Sequence, residues 1–253
     1  MGAAPFRSRP PWTRGLGAQG NPRRPREQDM DQSPFIAADQ TPDPFRLAAE
    51  VAPDSIAFLR DLVTIPSPSR GERLAAERTV REMEGLGFNH VEIDDMGNVL
   101  GRLGSGPRAI AFDAHLDTVG ITNPSQWRFD PFRGVISGGT LYGRGASDQK
   151  GGLAAAIHGA ALAARLGLPD DISLWVTATV NGEDCVGLAW QYLVRERELW
   201  PEAVVIAMPS HLGVCRGQRG RMELEITTTG VSSHGSRPER GTNAIYEAAR
   251  IDG

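Results

Sequence analysis

Four side chains in this chain combine residue types and spacings that do chemistry: His115, Asp117, Asp148 and Glu183. His115 and Asp117 lie in HLDTV, a histidine with a carboxylate two residues on. In such a pair the carboxylate can take one ring N–H and leave the other nitrogen for a metal. Asp148 lies in GRGASDQKGG, residues 143–152, where glycines on both sides let backbone and ligands approach closely. Glu183 lies in VNGEDCVG, residues 180–187. Singly, each has a plainer reading: a hydrogen-bonded loop histidine, a helix N-cap, a turn carrying solvated acids. Together, one nitrogen and two oxygen donors suit zinc, cobalt or manganese. The glycine-rich stretch does not read as a phosphate loop, because Lys150 precedes Gly151 and Gly152 and no Ser or Thr follows it. Asp148 would also repel a phosphate.

These residues need a scaffold that brings them to one edge. Leu47, Val51, Ile56, Leu59, Leu62 and Val63 recur at helical spacing and predict a helix from Pro44, broken at Pro53 and stopped by Pro66. A second helix is predicted over 72–86, closed by Gly87. Strand-like runs cover 91–93, 98–103 and 109–115, and a loop with Trp127, Phe129 and Phe132 leads to Val135, Ile136 and Leu141. Beyond the glycine-rich stretch the pattern predicts a buried helix over 153–166, a strand over 172–180, a helix over 186–197 and a strand over 203–207. The alternation predicts an α/β fold, a mixed and mostly parallel sheet with helices on both faces. Ligands gather at the carboxyl ends of strands in such sheets. His115, Asp148 and Glu183 each fall at a strand end or a helix mouth.

Composition narrows the function classes. Residues 1–29 hold six Arg against Glu27 and Asp29, among many Pro and Gly, and residues 1–43 read as a disordered tail. The whole chain carries a net charge of -4, and without its Arg-rich start it is more acidic still, which argues against nucleic acid as a partner. No apolar run approaches the roughly 18 residues that cross a membrane, so no membrane role is expected. Two cysteines, Cys185 and Cys215, make no disulfide framework and point to a reducing, cytoplasmic compartment. Lys150 is the only lysine.

Several ordered motifs carry a family resemblance. HLDTV at 115–119, GRGASDQKGG at 143–152, GEDCVG at 182–187 and GVSSHGSRPERGTNAI at 230–245 resemble successive motifs of one zinc hydrolase family. It is the family of aminoacylase, acetylornithine deacetylase, succinyl-diaminopimelate desuccinylase and carboxypeptidase G, and the motifs are most similar to its YgeY-like branch. SPSRGE at 67–72 resembles the family's N-terminal helix junction, and GQRGRMELEI at 217–226 its entry into a lid domain. The resemblance implies an incomplete zinc exopeptidase-like catalytic domain over 44–215. Over 216–253 it implies the start of a small α/β lid and dimerisation domain, with a strand at 222–229 and a helix. It further implies two divalent metal ions (zinc, cobalt or manganese), with Asp148 bridging them, His115 on one and Glu183 on the other. Asp117 would orient His115, His234 would reach the substrate or its oxyanion, and Gly241 and Asn243 would shape the lid helix. The bond from Asp148 to Gln149 is expected to be cis. The implied reaction is hydrolysis of an amide, in an N-acyl amino acid or short peptide, by a water on the metal in a homodimer.

Departures from the family pattern matter equally. The family places two consecutive glutamates after this strand, the first as general base, and here that position is Gly182. Glycine cannot take a proton, and losing a general base typically costs ~10²- to 10⁴-fold in rate. Met208, in IAMPS, stands where the family has a carboxylate ligand, and a thioether is a soft, uncharged substitute. The resemblance also implies another His ligand and the rest of the lid beyond Gly253. Asp184 and His211 are possible substitutes for the missing groups, although Cys185 and Gly187 keep the register that makes Glu183 the ligand. The sequence thus supports two readings: a metal-dependent amidohydrolase or exopeptidase, or a degenerate or truncated member without turnover. For turnover by this chain the second is favoured.

Overall fold

The apolar stripe ending at Val63 forms helix α1 (Pro44–Thr64), opened by the Asp43 carboxylate, which accepts the Phe45 N–H at 3.0 Å. The expected break at Pro53 does not occur, and α1 runs through it. Pro53 and Ala49 are both exposed, so the carbonyl that loses its partner can turn to water. The computed structural model describes residues 43–184, 187–217, 220, 222 and 224–251. They form two units, one ending at Ala207 and one beginning at Met208. The tail expected at 1–43, but for Asp43, lies outside the described residues, as does Cys185.

In the first unit α2 (Arg73–Gly85) follows, ended by Gly87 at φ 82°, a left-handed turn that favours glycine. Then come β1 (His90–Ile93), β2 (Val99–Leu103), β3 (Arg108–His115) and a hairpin of β4 (Val135–Ser137) and β5 (Thr140–Tyr142). Helix α3 (Gly151–Leu166), β6 (Ile172–Thr179), α4 (Leu188–Arg195) and β7 (Ala203–Ile206) complete the unit. The five-stranded sheet has the order β1-β2-β6-β3-β7. It is mixed: β6, β3 and β7 run parallel, whereas β1, β2 and β6 pair antiparallel.

Alternation along the strands divides the core between the two faces. Val99 and Leu103 of β2, Leu174, Val176 and Ala178 of β6 and Ala114 of β3 are buried with Phe58 and Leu62 of α1, Met83 of α2 and Leu153 and Ile157 of α3. Leu100 and Trp175 point the other way, to Leu193 and Trp190 of α4. Each fully buried aliphatic or aromatic side chain here contributes about 1.5–3 kcal/mol relative to exposure. The helices therefore cover both faces. Register then positions the site: β3 and β6 pair in parallel with His115 opposite Thr179, so the loop leaving β6 begins beside His115.

The second unit has little regular structure among the described residues. An isolated bridge joins Val231 and Thr242, and a short helix α5 (Ala244–Ala249) is capped by Asn243, whose side chain accepts the Ile245 N–H at 3.0 Å. The strand expected at 222–229 is not formed among the described residues, where nothing pairs with it. Met222, Leu224 and Ile226 are exposed. Among the described residues no helix is long and apolar enough to cross a membrane.

Candidate metal centre

At the carboxyl end of β3, the ring Nδ1 of His115 lies 2.8 Å from the backbone carbonyl oxygen of Asp117. A carbonyl only accepts, so Nδ1 carries the proton and Nε2 presents its lone pair. That Nε2 faces Asp148 Oδ1 at 3.4 Å. Asp148 is held there by an irregular turn, Ala146–Lys150, in which it departs from helical angles at φ -119° and ψ 96°. It is thus not the N-cap of α3, and the bond to Gln149 is cis, as the resemblance implies. The turn is locked on both sides. Gln149 Oε1 accepts the His115 N–H at 3.0 Å, and Lys150 Nζ donates to the carbonyls of Leu62 and Ile65 at 2.8 and 2.9 Å. Lys150 is fully buried, and burial pushes its ammonium down to about 8. Gly145 sits at φ 75°, where an added Cβ would stand 2.4 Å from Thr118 Cγ2, so only glycine suits this position.

Glu183 completes the group. One ligand atom each from His115, Asp148 and Glu183 lies within 4.8 Å of the other two. Asp148 Oδ1 is buried and has no hydrogen-bond partner among the described residues, although the side chain as a whole is 47% exposed. Two lone pairs facing each other at 3.4 Å, one on a buried carboxylate oxygen, make a pair of acceptors that a divalent cation satisfies. The donor set fits zinc, cobalt or manganese. A cleft of about 320 Å³ reaches the group past Thr118, Arg144 and Ser147.

Asp117 lies beside the His115 ring, and more than its carboxylate meets it. Its carboxylate is 3.4 Å from His115 Nδ1, and it is its carbonyl that makes the shorter contact with the ring. The buried carboxylate accepts instead from Ser69 Oγ at 2.6 Å, Gly182 N at 2.8 Å and Glu183 N at 2.9 Å. Gly182 packs directly against the imidazole, and a Cβ there would stand 2.5 Å from His115 Cβ and Cγ. Asp184 is exposed and is not one of the three clustered residues. Met208, His211 and His234 belong to the second unit. There His234 Nδ1 lies 2.8 Å from Ser236 Oγ and 3.2 Å from Ser236 N. Two residues before His115, Asp113 is buried, which pushes its carboxyl above the ordinary range, against the opposing hydrogen bond from Thr177 Oγ1 at 2.7 Å.

The family model for peptidase family M20/M25/M40 matches residues 111–248. The chain belongs to that family. The M20 match takes in His115, Asp148, Glu183 and His234. The chain is 50% identical over 214 residues to the protein YgeY of Escherichia coli (strain K12), covering 83% of this chain and 53% of YgeY. It is 33% identical over 217 residues to succinyl-diaminopimelate desuccinylase of Rhodospirillum centenum, covering 79% of this chain and 55% of that enzyme. The M20 chain described here therefore spans about half the length of the curated relatives it matches. Among solved structures, human carnosine dipeptidase 1 aligns with a TM-score of 0.54 at 23% identity, over 64% of this chain and 40% of that one. The di-peptidase Dug1p of Saccharomyces cerevisiae aligns with a TM-score of 0.53 at 20% identity, over 64% and 40%. These two likenesses establish the M20 fold of the sheet and its helices.

Proposed function

We propose that this chain carries the metal-binding half of an amide hydrolase, acting on an N-acyl amino acid or a short peptide. The observation that carries the reading is the convergence of His115 Nε2, Asp148 and Glu183, with a buried and unpartnered Asp148 oxygen at its centre. A bound divalent ion there would polarise the scissile carbonyl and lower the pKa of water. The chain's own residues do the rest. The Asp117 carbonyl fixes the His115 tautomer, and Gln149 holds the His115 backbone against the Asp148 turn. His234 is the residue that the family resemblance gives for donating to a developing oxyanion. Two ions, a homodimer and a reducing compartment belong to the same proposal, as do the roles of Asp184 and His211 as substitutes.

A second reading has an observation of its own. Gly182 offers no proton acceptor where the family has a base, and the loop has closed onto His115 so far that a side chain there would collide with the ring. The chain would then hold metal without turnover. Elemental analysis of the zinc-loaded chain, followed by a panel of N-acetylated amino acids and dipeptides with zinc or cobalt, tests both. Metal with hydrolysis supports the first reading, and metal without it the second. A chain that retains no zinc would sink the first reading and leave a degenerate member without turnover.

A further inference from the structure

Four successive backbone N–H groups, from Val180 to Glu183, are each accepted by a side-chain oxygen from another part of the chain. Val180 N–H goes to Asn98 Oδ1 at 3.0 Å and Asn181 N–H to Glu72 Oε1 at 3.0 Å. Gly182 and Glu183 N–H go to the two oxygens of Asp117 at 2.8 and 2.9 Å. Three buried side chains therefore grip the loop residue by residue, up to the one that offers its carboxylate to the cluster. Each comes from a separate part of the chain, and Asn98 and Asp117 are themselves anchored. Asn98 Nδ2 donates to Asp94 Oδ2 at 2.9 Å, and Asp94 in turn accepts the N–H groups of Met96, Gly97 and Asn98. Asp117 takes the hydroxyl of Ser69, and the strip around Ser69 is tied to the next loop through Ser67 Oγ to Leu116 O at 2.8 Å and Thr118 N to Ser67 O at 2.9 Å.

Glu72 is the unexpected member. It occupies the N-cap position of α2, where an acidic side chain ordinarily turns back to the first amides of its own helix, yet it makes no such bond. It is 5% exposed and reaches 109 residues along the sequence to Asn181. A buried carboxylate is costly unless it is satisfied, and the start of a helix is a place where its charge is tolerated. The position of Glu72 gives a fixed acceptor on a rigid element for a loop with no regular structure of its own.

We infer that Glu72 is a positioning residue for the metal centre: with Asn98 it sets where the Glu183 carboxylate stands, by holding the amides that lead to it. The inference rests on the metal-binding reading above. Removing a group that orients a ligand typically lowers metal affinity about 10- to 100-fold. The test measures zinc affinity by chelator competition for the wild-type chain, Glu72→Ala, Glu72→Gln and Leu103→Ala, the last a core variant away from the loop. Amide exchange at Asn181 is followed in the metal-free proteins. The expected result is a loss of about 10-fold or more in zinc affinity for Glu72→Ala, recovery in Glu72→Gln, which keeps an acceptor oxygen, and little change in Leu103→Ala. Exchange at Asn181 should quicken by about 10-fold or more in Glu72→Ala alone. Should Glu72→Ala not fold, Glu72→Asp withdraws the acceptor by one methylene and takes its place. Zinc affinity that falls no further in the Glu72 variant than in Leu103→Ala overturns the inference. If the wild-type chain binds no zinc, the metal reading fails, while unchanged exchange at Asn181 would separately show that Glu72 does not hold the loop.

Discussion

Strand β6 and residues 222–229 have much the same reason to be strands, and among the described residues only the first is one. ISLWVTAT and MELEITTT both alternate with apolar or β-branched residues and carry no Pro or Gly. In β6 the inward side chains Leu174, Val176 and Ala178 are 8%, 0% and 0% exposed, with β2 paired on one side and β3 on the other. Met222, Leu224 and Ile226 are 80%, 72% and 58% exposed, and the described residues of 222–229 form no strand. Strand propensity is a permission that pairing partners turn into structure. His115, Asp148 and Glu183, the three clustered residues, all lie in the unit whose strands are paired.

The comparison breaks most visibly at the centre of β6. Val176→Asp should cost more than ~4 kcal/mol, or abolish folding, by burying an unpaired charge, whereas Ile226→Asp should stay within ~0.5 kcal/mol. Chemical denaturation of the two variants decides it, and equal losses would mean that 222–229 is packed after all. Lys150→Met should cost about 2–3 kcal/mol, because the carbonyls of Leu62 and Ile65 lose their donor. An unchanged unfolding midpoint would show that α1 does not depend on that link. Gly182→Ala should lower zinc affinity about tenfold, some 1.4 kcal/mol, as its Cβ displaces His115. Tighter binding would mean that the loop has room for a side chain, so that Gly182→Glu could place a carboxylate there. The smallest effect is expected in the second unit, where Asn243→Ala removes the cap of α5 at about 1 kcal/mol. Exchange at the Ile245 amide reads it, and no acceleration there would show that the cap contributes nothing.

Much of this was legible from the sequence, for physical reasons that also mark the limits. The alternation of strands and helices placed β3, β6, α3 and the edge strand β7 within a residue or two, because periodicity is local. His115, Asp148 and Glu183 stand out as candidate ligands because residues that can hold a metal have distinctive types and fall at element ends. Glu72 and Asn98 could not. Glu72 reads as the first residue of a helix and Asn98 as the start of a strand, and neither pattern tells of backbone amides 109 and 82 residues away. The further partners of the Asp117 carboxylate, Ser69, Gly182 and Glu183, are illegible for the same reason, since only the fold brings them to it. Pro53 reads as a break because proline lacks an N–H, but α1 continues through it where Ala49 and Pro53 face water.

Lys150 has a practical side. It is the chain's single lysine and is completely buried, so amine-directed chemistry such as acylating labels, glutaraldehyde or lysine acetylation meets an almost inert surface. Apart from the α-amino terminus, a reagent of that kind can gain a foothold only when α1 parts from the turn that follows Asp148. Labelling at this one side chain is therefore a built-in clock for the opening of the first unit, readable by intact mass without any added probe.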